Sequence, residues 1–206
     1  MESVLDRVIK QNTENVNLLK TKDYNIFSVL QIQSKEVLIC RMTADLLNPR
    51  GQHGAGAEYL KIFLRDCLGM EKMDTKLADQ AIVTAEYAID DERRIDIVIE
   101  IGSYFLPIEV KIYAADQKSQ CFDYYQYAKR RDAQAKVYYL TLDGHRPGKD
   151  STSSGSQSVP EEDIVCLSFR EHILNWLKAC KSCENTGMIP ILEQFIQNIE
   201  QISGYT

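Results

Sequence analysis

The stretch Arg93-Arg94-Ile95-Asp96-Ile97-Val98-Ile99-Glu100-Ile101-Gly102-Ser103-Tyr104-Phe105-Leu106-Pro107-Ile108-Glu109-Val110-Lys111-Ile112 decides how the chain folds. Apolar and polar side chains alternate on both sides of Gly102-Ser103, the pattern of two β-strands joined by a tight turn. A two-residue turn there sets Ile101 opposite Tyr104, and the register runs on to Asp96 opposite Glu109 and Arg94 opposite Lys111. One face carries Ile95, Ile97, Ile99, Ile101, Tyr104, Leu106, Ile108, Val110 and Ile112, a core face. The other carries Arg94, Asp96, Val98, Glu100, Phe105, Pro107, Glu109 and Lys111.

Residues directly opposite across two strands have Cβ atoms about 4.5–5.5 Å apart, and like charges in that relation cost stability. A divalent cation shared by Asp96 and Glu109 would remove the cost, because Mg²⁺ and Mn²⁺ favour carboxylate oxygens. Lys111 projects from the same side. Two metal ligands and one cation suit phosphodiester hydrolysis, in which charge develops on the phosphate and a water must be activated. The plainer reading of the same four charged residues is a solvated, salt-bridged face of an ordinary hairpin.

The surrounding chain favours the first reading. Asp96…Glu109-Val110-Lys111 resembles the PD-(D/E)XK nuclease superfamily, and three further stretches agree. Lys35-Glu36-Val37, followed by Asp45-Leu46-Leu47-Asn48-Pro49-Arg50-Gly51-Gln52-His53-Gly54, resembles the opening helix and turn of one bacterial branch. Arg94-Ile95-Asp96-Ile97 matches the strand entry of that branch, with Ile95 in place of the proline that gives the superfamily its name. Gln120 and Tyr124 resemble the glutamine–tyrosine helix motif of RecB-like nucleases. The resemblance implies an α/β fold of restriction-endonuclease-like architecture, a mixed sheet flanked by helices. It implies that Asp96, Glu109 and Lys111 are catalytic. Mg²⁺, replaceable by Mn²⁺, would be held by Asp96, Glu109, the Val110 carbonyl and, through water, Glu36. Gln120 and Tyr124 would contact substrate, with Gln120 ranked above Gln117; Arg94 and His53 are further candidate contacts, and a histidine beside glycines is otherwise a plain turn residue. The common setting of such enzymes is bacterial defence against foreign DNA.

Elsewhere the pattern predicts one domain over residues 1–206. An amphipathic helix spans 1–22, and Ile26 and Phe27 follow as core anchors. Ser34 is the expected N-cap of a helix over 35–47, with Glu36 in its first turn, where an acid also suits the helix dipole. Gly51, Gly54 and Gly56 precede a helix over 57–68, without the lysine and hydroxyl residue of a Walker motif. A strand over 81–89 leads into the hairpin. A helix over 116–131 places Gln117, Gln120 and Tyr124 on one face near the scissile phosphate, and ends on Lys129, Arg130 and Arg131. Then come a strand over 136–142, a mobile loop over 144–162 that could serve as a flap, a strand over 164–169, and helices over 171–181 and 189–202.

The 206 residues, 44% hydrophobic, suffice for a real core. No run of about 18 apolar residues and no leader pattern is present, and the six cysteines are scattered through core elements, so a cytoplasmic protein with reduced thiols and no membrane partner is expected. Cys180-Lys181-Ser182-Cys183 lacks a second pair or nearby histidines and reads as structural. The net charge of −6 counts against a nucleic-acid partner, because DNA binding usually leaves a basic footprint, and this chain alone is expected to bind duplex DNA weakly. A second copy in a homodimer, a partner subunit or a further segment is therefore expected to provide the grip on nucleic acid, expected to be DNA.

Overall fold

The computed structural model describes residues 24–71, 73–183 and 186–204, so the segment 1–22 lies outside the described residues. The hairpin is its centre. Strands β2 (Arg94–Ile101) and β3 (Tyr104–Lys111) pair antiparallel from Ile97–Ile108 to Ile101–Tyr104, the register set by the turn. Gly102 supplies the turn with φ 57, a left-handed conformation that glycine adopts without a Cβ clash. Strand β1 (Ile82–Ala88) lies antiparallel against β2; β4 (Val137–Thr141) and β7 (Ile164–Ser168) continue the sheet in parallel beyond β3. The order β1-β2-β3-β4-β7 makes a mixed five-stranded sheet. Pro107 is tolerated in the central strand because pairing with β4 begins only at Ile108.

Helices cover both faces. On one, α1 (Ile26–Val29), α2 (Glu36–Leu47), α3 (Glu58–Asp66), α6 (Leu174–Cys180) and α7 (Ile189–Ser203) bury a core with Ile97, Ile99, Leu106, Ile108 and Val110. Trp176 is its largest member; its indole N–H donates to Tyr59 O at 2.8 Å, so the buried ring leaves no donor unpaired. A one-turn helix, α4 (Thr75–Ala78), precedes β1. On the other face α5 (Gln120–Arg131), the crossover between β3 and β4, buries Phe122, Tyr124 and Ala128 against Val98, Phe105 and Tyr139. The hairpin face expected to be polar is thus a second core, and it is not solvated.

The strict alternation also fails at one point. Ile95, expected beside Ile97, packs with Tyr124 and Phe105 on the α5 side. The β2–β3 ladder gives way there: Val110 N–H donates to the Asp96 carboxylate, Oδ2, at 2.8 Å. On the outer strand Glu86, between the Ala85–Ile97 and Tyr87–Ile95 pairs, has φ 53, a left-handed conformation that costs a non-glycine residue about 1–2 kcal/mol. Its carboxylate is held by Arg41 of α2 at 2.7 Å.

Several boundaries differ from expectation. Lys35, without a side-chain cap, occupies the N-cap of α2 in place of Ser34. Ile26 is 38% exposed, leaving Phe27 as the anchor. The helix expected over 116–131 starts only at Gln120. Ser119, with φ 57, breaks it, and the Asp116 carboxylate is engaged by Tyr139 OH at 2.8 Å and Gly148 N at 2.7 Å. The final helical region opens with a π-helical turn, Phe169–Ile173.

The segment 144–162, expected to be a mobile loop, forms a strap with short elements of its own and hydrogen bonds to α5. It carries the short hairpin β5 (Ser153–Ser154) and β6 (Gln157–Ser158), followed by a 3₁₀ turn, Glu161–Asp163. Ser151 is 0% exposed; its carbonyl accepts from Phe122 N at 3.0 Å and its hydroxyl lies 3.3 Å from Cys121 N. Ser119 N donates to Asp150 O at 2.7 Å. The strap thereby satisfies amides at the start of α5 that no helical carbonyl can reach.

Candidate active site

The site is built where β3 ends. Glu109 and Lys111 point to the α5 side of the sheet, under that helix, and are 1% and 8% exposed. Lys111 Nζ lies 2.5 Å from Glu109 Oε1, while Glu109 Oε2 is buried with no hydrogen-bond donor. Asp96 of β2 is half-buried beside them and takes the Val110 N–H. Burial, and then the Asp96 charge, push Glu109 well above the usual carboxylate range, with Lys111 pulling the other way. Burial pushes Asp96 up as well, opposed by the Val110 N–H. Burial works against the charge of Lys111, but Glu109, Asp96 and Glu36 outweigh it and hold the ammonium above its ordinary range.

Glu36, in the first turn of α2, accepts from Ile112 N at 2.8 Å, fixing the end of β3 to that helix. One turn on, Cys40 is 2% exposed, and burial followed by the charges of Asp96, Glu36 and Glu109 raises its thiol. Sequence reasoning did not single out Cys40; its spacing of four from Glu36 was the available signal.

Matching against protein families pairs residues 24–197 with the PD-(D/E)XK nuclease superfamily. The chain belongs to the PD-(D/E)XK nuclease superfamily. The mixed five-stranded sheet flanked by helices is consistent with the fold of that superfamily, whose members are generally hydrolytic nucleases. No curated protein and no solved structure matches the chain.

In this PD-(D/E)XK chain the glutamine–tyrosine pair is internal. Gln120 Nε2 donates to Tyr124 OH at 3.1 Å, and the Tyr124 hydroxyl donates to Arg94 O, two residues before Asp96. Tyr124 is 1% exposed. The pair therefore braces the strand that carries Asp96. Gln117 lies before α5 rather than on it, its amide oxygen accepting from Arg93 Nη1 at 2.7 Å. The Arg94 side chain is exposed at the strand entry. His53 is buried and stacks on Tyr59 with ring centroids 4.8 Å apart. Its Nε2 lies 2.9 Å from Asn48 O and its Nδ1 accepts from Ala55 N at 3.1 Å, which engages the ring in its own turn. The basic end of α5 is likewise engaged, Lys129 with Asp163 and Arg131 with Glu100.

Two positioning residues were not singled out. Arg93 bonds Asp123 Oδ2 at 3.1 Å, Gln117 Oε1 and Lys118 O at 2.6 Å, tying the entry of β2 to the start of α5. Asp116 ties the strap to β4. Their sequence signal was weak, because a charged residue in a loop is usually solvated.

The donor set fits a small, hard cation. Two carboxylates stand together, and one buried oxygen, Glu109 Oε2, meets no donor. Among the described residues no three His, Cys, Asp or Glu side chains form a ready-made metal-ligand group. A cation held by Asp96 and Glu109 would keep water or main-chain oxygen in its shell, as Mg²⁺ commonly does. Among the described residues no helix is long and apolar enough to cross a membrane. The cysteines are free thiols; burial pushes Cys67 up to about 12 and raises Cys180, making them poor nucleophiles.

Proposed function

We propose that this chain hydrolyses phosphodiester bonds in nucleic acid, with DNA as its substrate and Mg²⁺, replaceable by Mn²⁺, as its cation. The observation that carries this reading is the buried Glu109 carboxylate, with Lys111 on one oxygen, no donor on the other, and Asp96 beside it. A solvated surface pair would be exposed on both sides; this one is not.

Asp96 and Glu109 would hold the cation, with the Val110 carbonyl completing the protein's share. When bound, the cation would polarise the phosphate and lower the pKa of a water. Lys111, kept protonated by its acidic neighbours, holds positive charge at a fixed place where negative charge would build on the phosphate. Glu36 anchors the strand end from which Lys111 projects. Gln120 and Tyr124 hold β2 at Arg94, so that Asp96 need not reorganise. Arg94, exposed at the strand entry, would meet a phosphate outside the scissile position. The proposed setting, defence against foreign DNA in a bacterial cytoplasm, rests on analogy with the superfamily.

The test is Mn²⁺ binding by calorimetry on wild type and Asp96→Ala, with cleavage of plasmid and single-stranded DNA in parallel. Binding and cleavage that both vanish in the variant support the reading. Binding without cleavage would mark a nuclease fold used for nucleic-acid binding or protein assembly. Wild type that binds no metal would overturn the proposal.

A further inference from the structure

A chain of net charge −6 must grip a polyanion, if it does so, through a local group of uncommitted cations. Several basic side chains are already paired with acids: Arg41 with Glu86, Lys61 with Glu58 and Asp79, Arg65 with Asp66, Lys129 with Asp163, Arg131 with Glu100 and Lys181 with Glu193. Among the described residues four exposed cations with no acid in ion-pair contact, Arg94, Lys118, Lys149 and Arg146, are borne by segments that are hydrogen-bonded to one another.

The hydrogen bonds join these segments in sequence. Arg94 lies two residues from Asp96, and its carbonyl is the one held by Tyr124. The guanidinium of Arg93 grips Lys118 O at 2.6 Å. The next residue, Ser119, bonds Asp150 O at 2.7 Å, beside Lys149. Beyond Lys149 the strap opens into a cleft of about 470 Å³ lined by Arg146, Lys149, Thr152, Ser153 and Ser158. Glu161 is the acid on its wall, and Arg146 Nη2 bonds the carbonyl of that residue at 3.1 Å rather than its carboxylate. Guanidinium, ammonium and hydroxyl groups in series are the donors that contact phosphate and sugar oxygens.

We infer that Arg94, Lys118, Lys149 and Arg146 form a track for the sugar–phosphate backbone of a nucleic acid, leading from the Asp96–Glu109–Lys111 cluster across the strap. The inference rests on the nuclease reading for the direction of the track; its binding contacts are measured separately from cleavage. The strap is thus a binding element, held against α5 to keep its cations in line with the strand entry.

The test uses full-length protein without divalent cations and fluorescein-labelled DNA and RNA oligonucleotides, read by anisotropy across a salt series. The triple variant K118E/K149E/R146E is expected to bind at least about tenfold more weakly near 0.1 M salt, with a log–log salt slope shallower by about two to three, since each lost duplex phosphate contact removes roughly 0.9 from the slope. The control is K76E, on α4, whose neighbour Leu77 packs on the Gly102 turn at the far end of the hairpin from Asp96. It removes an equally unpartnered cation and is expected to leave slope and affinity unchanged. The alanine triple, with circular dichroism and melting as checks on folding, is expected to show the same reduction in slope. DNA and RNA arms decide which backbone the track accepts. Triple variants that bind like wild type, a K76E loss as large as theirs, or wild type that binds neither polymer at 0.05 M salt would overturn the inference. Mn²⁺ calorimetry on the same variants is expected to be unchanged. A failure of metal binding in wild type would instead count against the nuclease reading alone.

Discussion

Glu109 presents one carboxylate oxygen to Lys111 Nζ at 2.5 Å and keeps the other buried with no donor. A buried ion pair is stable only when its remaining polar atoms find partners. Here burial, and then the charge of another carboxylate, Asp96, raise Glu109. A proton would resolve that conflict, and so would the divalent cation proposed for this site, in which case the two would compete.

The competition gives a pH dependence with a definite sign. Glu109 and Asp96 both have raised affinity for protons in the folded protein. Their contribution to stability is complete below the ordinary carboxylate values, near pH 4, and is lost as pH rises through the higher folded values. In EDTA the stability attributable to this pair therefore falls as pH rises from the ordinary carboxylate range. Mn²⁺ should raise the melting temperature more at pH 8 than at pH 5.5. An equal shift at both pH values would show that no proton is displaced.

Lys111→Met removes the cation but keeps the apolar stem. Glu109, 1% exposed, is left without a counter-charge, and its affinity for a proton rises further. Breaking a buried pair from one side costs about 3–5 kcal/mol when the remaining charge stays ionised. The expected loss is about 2–4 kcal/mol at pH 8 and clearly smaller at pH 5, where Glu109 can take a proton. Urea unfolding at the two pH values measures the difference.

Tyr124→Phe deletes the hydroxyl between Gln120 Nε2 and Arg94 O. Gln120 is buried and the bond to Arg94 O is part-buried, so losing both bonds is expected to cost about 1–3 kcal/mol. Because Arg94 O precedes Asp96 by two residues, Mn²⁺ affinity should fall with stability. A purely local packing role would lower stability and leave calorimetric affinity intact.

Adjacent arginines should separate by function. Arg93→Ala removes bonds to Asp123, Gln117 and Lys118, and is expected to cost about 1–2 kcal/mol while speeding amide exchange at the start of α5. Arg94→Ala, losing an exposed side chain, should change stability by less than about 0.5 kcal/mol. Its loss should appear in nucleic-acid affinity. Thermal melts and anisotropy on the two variants read these outcomes side by side.

By itself the sequence determined the hairpin, because alternation and a glycine turn leave one register that buries Ile97, Ile99, Leu106 and Ile108 together. It also determined that Asp96, Glu109 and Lys111 share a region, and the order of strands and helices that marks the superfamily. Tertiary structure decided what covers that region. Alternation says which residues share a face and nothing of what packs on it, so the burial of Glu109 and Lys111 beneath α5 could not be read from the chain. The strap looked unstructured because its stability comes from long-range hydrogen bonds to Asp116 and the α5 amides, with few apolar residues to announce them. The crossing of Ile95 to the second core follows from a ladder interrupted by the Asp96 carboxylate, a bond between residues fourteen apart that no local pattern records. His53, a candidate substrate contact that the neighbouring glycines also allowed as a plain turn residue, has its ring bonded within its own turn, to Asn48 O and Ala55 N.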